Sequence, residues 1–278
     1  MKLNPLRCGL FAVTACTLAL PAAAQTWNGP YGGVHIGGAK PAKGDNETLI
    51  FDTNLDGNYN NTVSTTTGAN AFSPGFCDGT PKGNNAAAGC TTDEDSAYDI
   101  GLRLGYDWQM GNIVYGVLAD WHKIDLKDSV TGFSTTPASY HFERSPDLVT
   151  SLRGRLGYGT DNWLAYGTAG VAWTELDYAY NTTNTANSFT PRGADDRVMG
   201  YQAGAGIERK VNDNWSLGVE YLYTSFKDED YTVRVGPGTA PATNPFLITN
   251  AQGTDMRRSE DKLDAHSVRL VANFRFGM

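Results

Sequence analysis

The chain closes on His266-Ser267-Val268-Arg269-Leu270-Val271-Ala272-Asn273-Phe274-Arg275-Phe276. Successive side chains of a strand point to opposite faces. Val268, Leu270, Ala272, Phe274 and Phe276 therefore share one face, and Ser267, Arg269, Asn273 and Arg275 the other. One face is apolar and the other strongly polar, over the roughly 9–11 residues a tilted strand needs to cross a membrane. Such a strand either lines a water-facing sheet with the apolar side in a core, or crosses lipid with the charges turned inward. Parity does not separate the two, so the rest of the chain must.

Seven further alternating segments precede it, at about 31–38, 98–108, 112–123, 148–158, 163–174, 198–209 and 215–226. Eight strands with both chain ends on one side is the even count a bacterial barrel requires. Three connections are short and turn-like, at 109–111, 159–162 and 210–214; the other four, at about 40–96, 124–147, 175–197 and 227–263, are long and polar. Long and short alternate strictly, as they do when periplasmic turns are short and external loops long. Four long structureless loops would count against a compact soluble domain. The sequence thus predicts an all-β fold: an eight-stranded antiparallel up-and-down transmembrane β-barrel with long external loops.

Parity assigns faces in each strand. Ile100, Leu102, Leu104, Tyr106 and Trp108 share one face, as do Tyr115, Val117, Ala119 and Trp121, and Leu217, Val219, Tyr221 and Tyr223. The fifth segment is apolar on both faces and is oriented by Trp163 and Trp173, which would lie about 25 Å apart along the membrane normal. Trp108, Tyr115, Tyr158, Trp163, Trp215 and Phe276 gather beside the short turns and would form the periplasmic girdle, where amphipathic rings favour the headgroup level. The opposite parity carries the charges. A lumen network of Arg103, Asp120, Arg153, Arg155, Glu208, Glu220, Arg269 and Arg275 is expected, with Asp99 and Asp107 also pointing inward. Charges in a narrow barrel must pair or meet water, because desolvation is costly.

The N-terminus reads as a secretory signal over 1–24. Lys2 and Arg7 supply the positive start, residues 10–20 are largely apolar, and Ala22-Ala23-Ala24 fits the small-residue cleavage rule. Val13-Thr14-Ala15-Cys16 resembles a lipoprotein box, but a cleaner site follows it. The expected mature chain, 25–278, forms the barrel domain. Removing Lys2 and Arg7 takes the formal charge from −8 to about −10. An acidic chain without a basic cluster argues against nucleic acid. No segment reaches the ~18 consecutive apolar residues of a membrane-spanning helix. Two cysteines remain in the mature chain, Cys77 and Cys90; in an exported protein the pair predicts a disulfide clipping one loop.

Chemistry is hard to find. His35, His122, His141 and His266 are scattered, without metal-site spacing. No nucleophile elbow, P-loop or dinucleotide fingerprint occurs. His266 and Ser267 are strand neighbours and face opposite ways, so they cannot act together as base and nucleophile. Asp52-Thr53-Asn54-Leu55-Asp56-Gly57-Asn58 resembles the first half of a calcium loop, but Val63 stands where the closing carboxylate belongs; an Asx-rich turn is the expectation, and no cofactor is assigned. Asp93-Glu94-Asp95 and Asp228-Glu229-Asp230 read as rim charges, and 237–245 as irregular surface chain.

The opening Trp27-Asn28-Gly29-Pro30-Tyr31-Gly32-Gly33-Val34-His35-Ile36-Gly37 resembles the start of the small outer-membrane β-barrel family of the OmpA/OmpX type, especially its stand-alone alphaproteobacterial, often porin-labelled, members. The final strand resembles the family's closing strand, though Val271 or Ala272 stands where a glycine is usual and Gly277-Met278 follow the final aromatic. The resemblance implies the outer membrane of a Gram-negative bacterium. It implies as partners the outer-membrane lipid and lipopolysaccharide, the barrel-assembly machinery that reads the closing strand, and an extracellular ligand of the loops. The expected function is a non-enzymatic structural anchor displaying surface loops for envelope integrity, adhesion or ligand binding. A small-solute porin is the alternative and a lipid A-modifying enzyme the more remote one. Eight strands enclose an interior that side chains just fill, which favours the anchor.

Overall fold

A computed structural model describes residues 26–42, 47–91, 97–193, 197–228 and 231–276. The leader expected at 1–24, the Asp93–Asp95 run, Glu229-Asp230 and Gly277-Met278 lie outside the described residues. Eight strands form the membrane unit: β1 (Gly29–Pro41), β2 (Ala97–Met110), β3 (Ile113–Ile124), β4 (Leu148–Gly159), β5 (Trp163–Thr182), β6 (Arg197–Lys210), β7 (Trp215–Lys227) and β8 (Lys262–Arg275). Each pairs antiparallel with its neighbours in chain order. β8 then pairs with β1, Tyr31 opposite Arg275 and Lys40 opposite His266, and the ring closes. Closure satisfies every edge, which a sheet in hydrocarbon requires because no water reaches stray N–H and C=O groups.

The glycines of the opening motif have a steric reason. Gly33 and Gly37 face the lumen against β8; a Cβ at Gly33 would collide with the Asn273 side chain, and one at Gly37 with the Val268 carbonyl. The narrow interior admits no side chain there.

The apolar parity faces outward. Leu102 and Leu270 are 61% and 62% exposed, while Arg103 and Arg269 beside them are buried. β5 takes the orientation its indoles predict: Trp163 and Val171 face out, Leu164 and Ala172 in. The girdle residues pair across strands. Trp108 sits opposite Tyr115 with ring centroids 5.7 Å apart, and Trp215 opposite Phe274 at 5.2 Å.

The long connections depart from expectation. They are not structureless: among the described residues they hold nine further short strands. β5 runs past the rim, and its residues 176–182 pair with Ala138–Pro146. That strand pairs with Asp128–Ser134, which pairs with Gly75–Asp78. A second sheet runs Ser188–Arg192, Thr232–Gly236, Thr254–Arg258, Leu49–Asp52. Val130, Tyr140 and Phe142 of the first sheet share one buried apolar cluster with Leu49, Phe51, Val233, Val235 and Met256 of the second. Phe72 and Phe246 fill its centre, 5.9 Å apart between ring centroids. The four excursions thus fold together into one two-sheeted cap with its own core. Its residues escaped the periodicity reading because the strands are short and the core side chains are spaced between Gly, Asn and Thr turns.

Two details follow. The Asp52 carboxylate accepts from the backbone N–H groups of Asp56 (3.2 Å) and Gly57 (2.8 Å), and Val63 belongs to the cap core, so this segment is an Asx-rich turn. The stretch from Pro237 is irregular, as expected, but Phe246 and Leu247 at its end are buried. Cys77 and Cys90 form a disulfide, Cα atoms 6.1 Å apart, closing a 13-residue separation. The chain-entropy account assigns such a loop about 3 kcal/mol. Cys77→Ser with Cys90→Ser should therefore speed proteolysis within 75–91 while leaving heat-modifiable migration of the barrel on unboiled gels intact; equal loss of both would place the disulfide in the stability of the whole chain.

Candidate functional site

The interior is a stack of layers, and each comes from the inward parity of the strands. At the periplasmic end Trp27, Val114, Leu164 and Tyr166 form a buried apolar cluster. Trp27 is fastened across the barrel, its N–H donating to Gln109 Oε1 (2.8 Å) and its indole Nε1 to the Thr160 carbonyl (2.7 Å).

Above it lies the first charged layer. Arg275 Nη2 donates to Asp107 Oδ2 (2.7 Å) and Nη1 to the Trp27 carbonyl (2.7 Å). Arg155 Nη2 donates to Glu208 Oε1 (2.8 Å), with its guanidinium 4.0 Å from the Tyr166 ring centroid. The second layer joins Arg103 to Glu220 Oε1 (2.8 Å) and Asp120 Oδ1 (3.3 Å). Arg153 donates to Asp120 and lies 3.3 Å from Glu220, and the Tyr166 hydroxyl donates to Glu220 Oε2 (2.9 Å).

The third layer holds Arg269, whose Nε donates to Asp99 Oδ2 (2.6 Å). His122 Nδ1 and His35 Nε2 lie 2.9 Å and 3.3 Å from Asp99 Oδ1. Their ligand atoms fall within 4.8 Å of one another, the one group of metal-binding type among the described residues. A cation is already there: Arg269 Nη2 stands 3.0 Å from His122 Nδ1. A divalent ion would add two charges to a layer already neutralised, in a place where unbalanced charge is expensive. The cluster therefore reads as part of the ion network.

The predicted network residues Arg103, Asp120, Arg153, Arg155, Glu208, Glu220, Arg269 and Arg275 are all buried in the lumen, joined there by Asp99 and Asp107. Five guanidiniums meet five carboxylates, so the layers carry no net charge with both histidines neutral. Bringing His35 and His122 together was not foreseen. They lie 87 positions apart in sequence and meet only because β1 and β3 both flank β2. His266 is outside, its Nδ1 2.6 Å from the Tyr221 hydroxyl, while Ser267 is buried inside.

Above the charges the lumen turns apolar again. Ala39, Ile124, Leu126, Val149, Ala172, Leu176, Phe226, Leu263 and Ala265 form one buried cluster at the extracellular mouth. The sequence reading missed this plug and the layer above it. There Arg258 donates through Nε to Glu47 Oε1 (2.6 Å) and through Nη2 to Asp128 Oδ2 (2.7 Å). Arg144 donates to the same Asp128 oxygen (2.8 Å), to Asp228 Oδ2 (2.7 Å) and to the Lys262 carbonyl at the start of β8. Burial alone would lower the pKa of Arg258; the Asp128 and Glu47 carboxylates outweigh it and hold the guanidinium above its ordinary value. This clamp ties the cap to the barrel. Asp128, Arg144 and Arg258 sit in short strands of 7, 9 and 5 residues whose polar surroundings leave no period to read.

Comparison with known proteins matches this architecture. Residues 139–276 match the family described as outer membrane protein beta-barrel domain. The 31 kDa outer-membrane immunogenic protein of Brucella melitensis is 30% identical over 181 residues, 63% of this chain and 65% of that one. The 22 kDa outer membrane protein of Rhizobium leguminosarum bv. viciae is 33% identical over 133 residues, 48% of this chain and 54% of that one. The chain thus spans just under two thirds of the length of the Brucella relative. Among solved structures, the outer membrane protease OmpT of Escherichia coli aligns over 92% of this chain and 99% of its own, with 12% identity and a TM-score of 0.41. An outward apolar band and a closed ring of eight antiparallel strands make the chain a Gram-negative outer-membrane β-barrel, and its sequence is similar to the outer membrane protein beta-barrel domain family and to these Brucella and Rhizobium outer-membrane proteins.

Proposed function

We propose that this protein is a closed structural anchor whose product is the folded cap it holds at the cell surface, there to meet an envelope partner or an extracellular ligand. One observation carries the reading: the charged lumen is sealed by apolar side chains at both ends, by the Trp27 cluster below and the Ile124–Leu263 plug above. Water and solutes gain nothing from such a barrel. A folded cap with its own core and an ionic clamp to the rim is, by contrast, what rigid presentation requires. The immunogenic names of the Brucella relatives suit a surface-exposed cap. The reading involves no catalytic step: the lumen carboxylates are paired with guanidiniums, His35 and His122 lie against Asp99, and the apolar seals stand at both ends.

The small-solute porin is the alternative, and planar bilayers distinguish the two. Purified protein is expected to insert without steady conductance at either polarity. A reproducible ohmic current in wild-type protein would overturn the anchor reading and favour the pore.

A further inference from the structure

The cap carries a cavity that neither the barrel nor the clamp uses. It lies at the far end of the cap from the membrane: Thr182 opposite Tyr140 is the last pair of β5, six residues beyond Leu176 of the apolar plug. At ~3.3 Å per residue that is about 20 Å of strand. All four excursions line it, through Phe72, the turn at 134–140, 183–186 and 244–246, so it exists only in the folded cap. Its volume is about 240 Å³. That is the space of about eight waters at ~30 Å³ each, and less than the ~300–1,000 Å³ of drug-sized sites. It takes one ring, not a chain of them.

None of the lining residues is charged. The floor is the end of the cap core, where Phe72, Tyr140 and Phe246 stand with ring centroids 5.2, 5.6 and 5.9 Å apart. These rings are buried, and the more open apolar walls are Pro137, Pro245 and Ala186. Thr135, Thr136 and Thr185 bring hydroxyls to the exposed rim. The floor also holds an underused donor. The Tyr140 hydroxyl accepts from Asn184 Nδ2 (3.0 Å), while Asn184 Oδ1 is taken by the backbone N–H groups of Ala186 and Asn187. Ser134 Oγ is 3.5 Å from the phenol oxygen and gives its own hydrogen to the Thr136 carbonyl (2.6 Å). Among the described residues the Tyr140 hydrogen thus has a single long acceptor, beyond the ~2.5–3.0 Å of a sound O–H···O bond. Burial pushes the pKa of this hydroxyl up, so it stays protonated.

We propose that this apical cavity binds one terminal N-acetylhexosamine of a glycan on a foreign surface, its acetamido carbonyl accepting from Tyr140, its methyl on the Phe72–Phe246 floor and its ring between Pro137 and Pro245. A charged ligand would give up hydration here and meet no counter-charge. A wholly apolar one would leave the Tyr140 hydrogen unmet and cover the threonine hydroxyls without bonding them. Sugar hydroxyls both donate and accept, as the threonines do. The acetamido group is the sugar substituent that sets a carbonyl acceptor beside a methyl, which is the pairing the floor offers. The distance from the membrane favours a glycan from outside the cell over the cell's own lipid layer. The assignment names a ligand for the displayed cap and rests on the display reading; the bilayer recording decides that reading, and sugar binding in micelles decides this one. A non-conducting barrel that binds no sugar keeps the anchor and loses only this ligand.

The test is saturation-transfer NMR on the full chain in micelles of lauryldimethylamine oxide, a detergent without sugar, with methyl β-N-acetylglucosaminide as probe. Wild-type protein is expected to bind it saturably with a Kd of about 1 mM or tighter. Methyl β-glucoside, which lacks the acetamido group, should bind at least about fivefold more weakly. Ala186→Trp fills the cavity and should abolish binding, as should Thr136→Trp from the neighbouring turn, whereas Thr62→Trp, at an exposed threonine outside the cavity, should not. Tyr140→Phe should level the two sugars, a change of preference that a loosened cap does not produce. Limited proteolysis verifies that the cap of each variant is folded. The proposal is overturned if wild-type protein shows no saturable binding below about 10 mM, or if both cavity-filling variants bind as wild type does. It also fails if the glucoside binds equally well or if Tyr140→Phe keeps the preference. Tighter binding of phenylalanine amide would make the cavity a peptide pocket and sink the sugar assignment. Displacement of the probe by polysaccharide released from the protein's own cells, but not by a glycoprotein ending in N-acetylglucosamine, would do the same for the foreign source.

Discussion

Glu220→Leu is expected to destabilise the barrel by about 3–5 kcal/mol, the usual cost of removing one partner from a buried ion cluster. Glu220 accepts from Arg103 and the Tyr166 hydroxyl and lies within 4 Å of Arg153 and Arg269, and the four charged side chains have no solvent contact. Its loss leaves three guanidiniums facing Asp99 and Asp120, one positive charge in excess between two apolar seals. The denaturation midpoint in detergent micelles, followed by the heat-dependent band shift, reads the change. The double variant Arg103→Met with Glu220→Leu restores neutrality and should recover most of the loss. A single-variant loss below about 1 kcal/mol would mean that water reaches the layer, which would reopen the pore reading as well.

Arg258→Leu should act elsewhere in the same molecule. It removes the guanidinium that Glu47 and Asp128 share beneath the cap, while Asp128 keeps Arg144. A loss of about 3–5 kcal/mol is again expected, but from the cap. Limited proteolysis of the variant should cut within 47–91 and 231–258 while the band shift of the barrel persists. Loss of the band shift at the same rate would show that cap and barrel unfold as one unit. Protection equal to wild type would assign the clamp no role in holding the cap.

These two sites differ in how far the chain announced them. Glu220 was legible because it alternates with Val219 and Tyr221 in a long strand, and an unbroken parity of that length permits only one inward face. Its partners were not, because Arg103, Arg153 and Arg269 come from three other strands and meet it through the curvature and register of the closed ring. Arg258 was hidden altogether. It sits in a five-residue strand within a stretch rich in Asp, Gly and Thr, too short for a period to emerge, and composition there suggested surface loop. The same holds for His35 and His122, whose spacing means nothing until β1 and β3 are laid on either side of β2. At the Asp52 run, Val63 occupies the position of a closing carboxylate, and in the fold that valine is part of the cap core.

What the sequence determined by itself is the barrel: strand number, order, orientation of every face, girdle and location. Strand number and most faces follow from a two-residue period repeated over ten or so residues, the fifth strand's face from its two indoles, and location from the strict alternation of long and short connections. What only the tertiary structure decided is everything that depends on which distant residues become neighbours. That includes the neutral pairing of five arginines with five carboxylates, the apolar seals that close the lumen, and the folding of four excursions into one clamped cap. Periodicity is a property of one strand and can be read along it; pairing, sealing and cap formation are properties of strands brought together by register, which no single segment encodes.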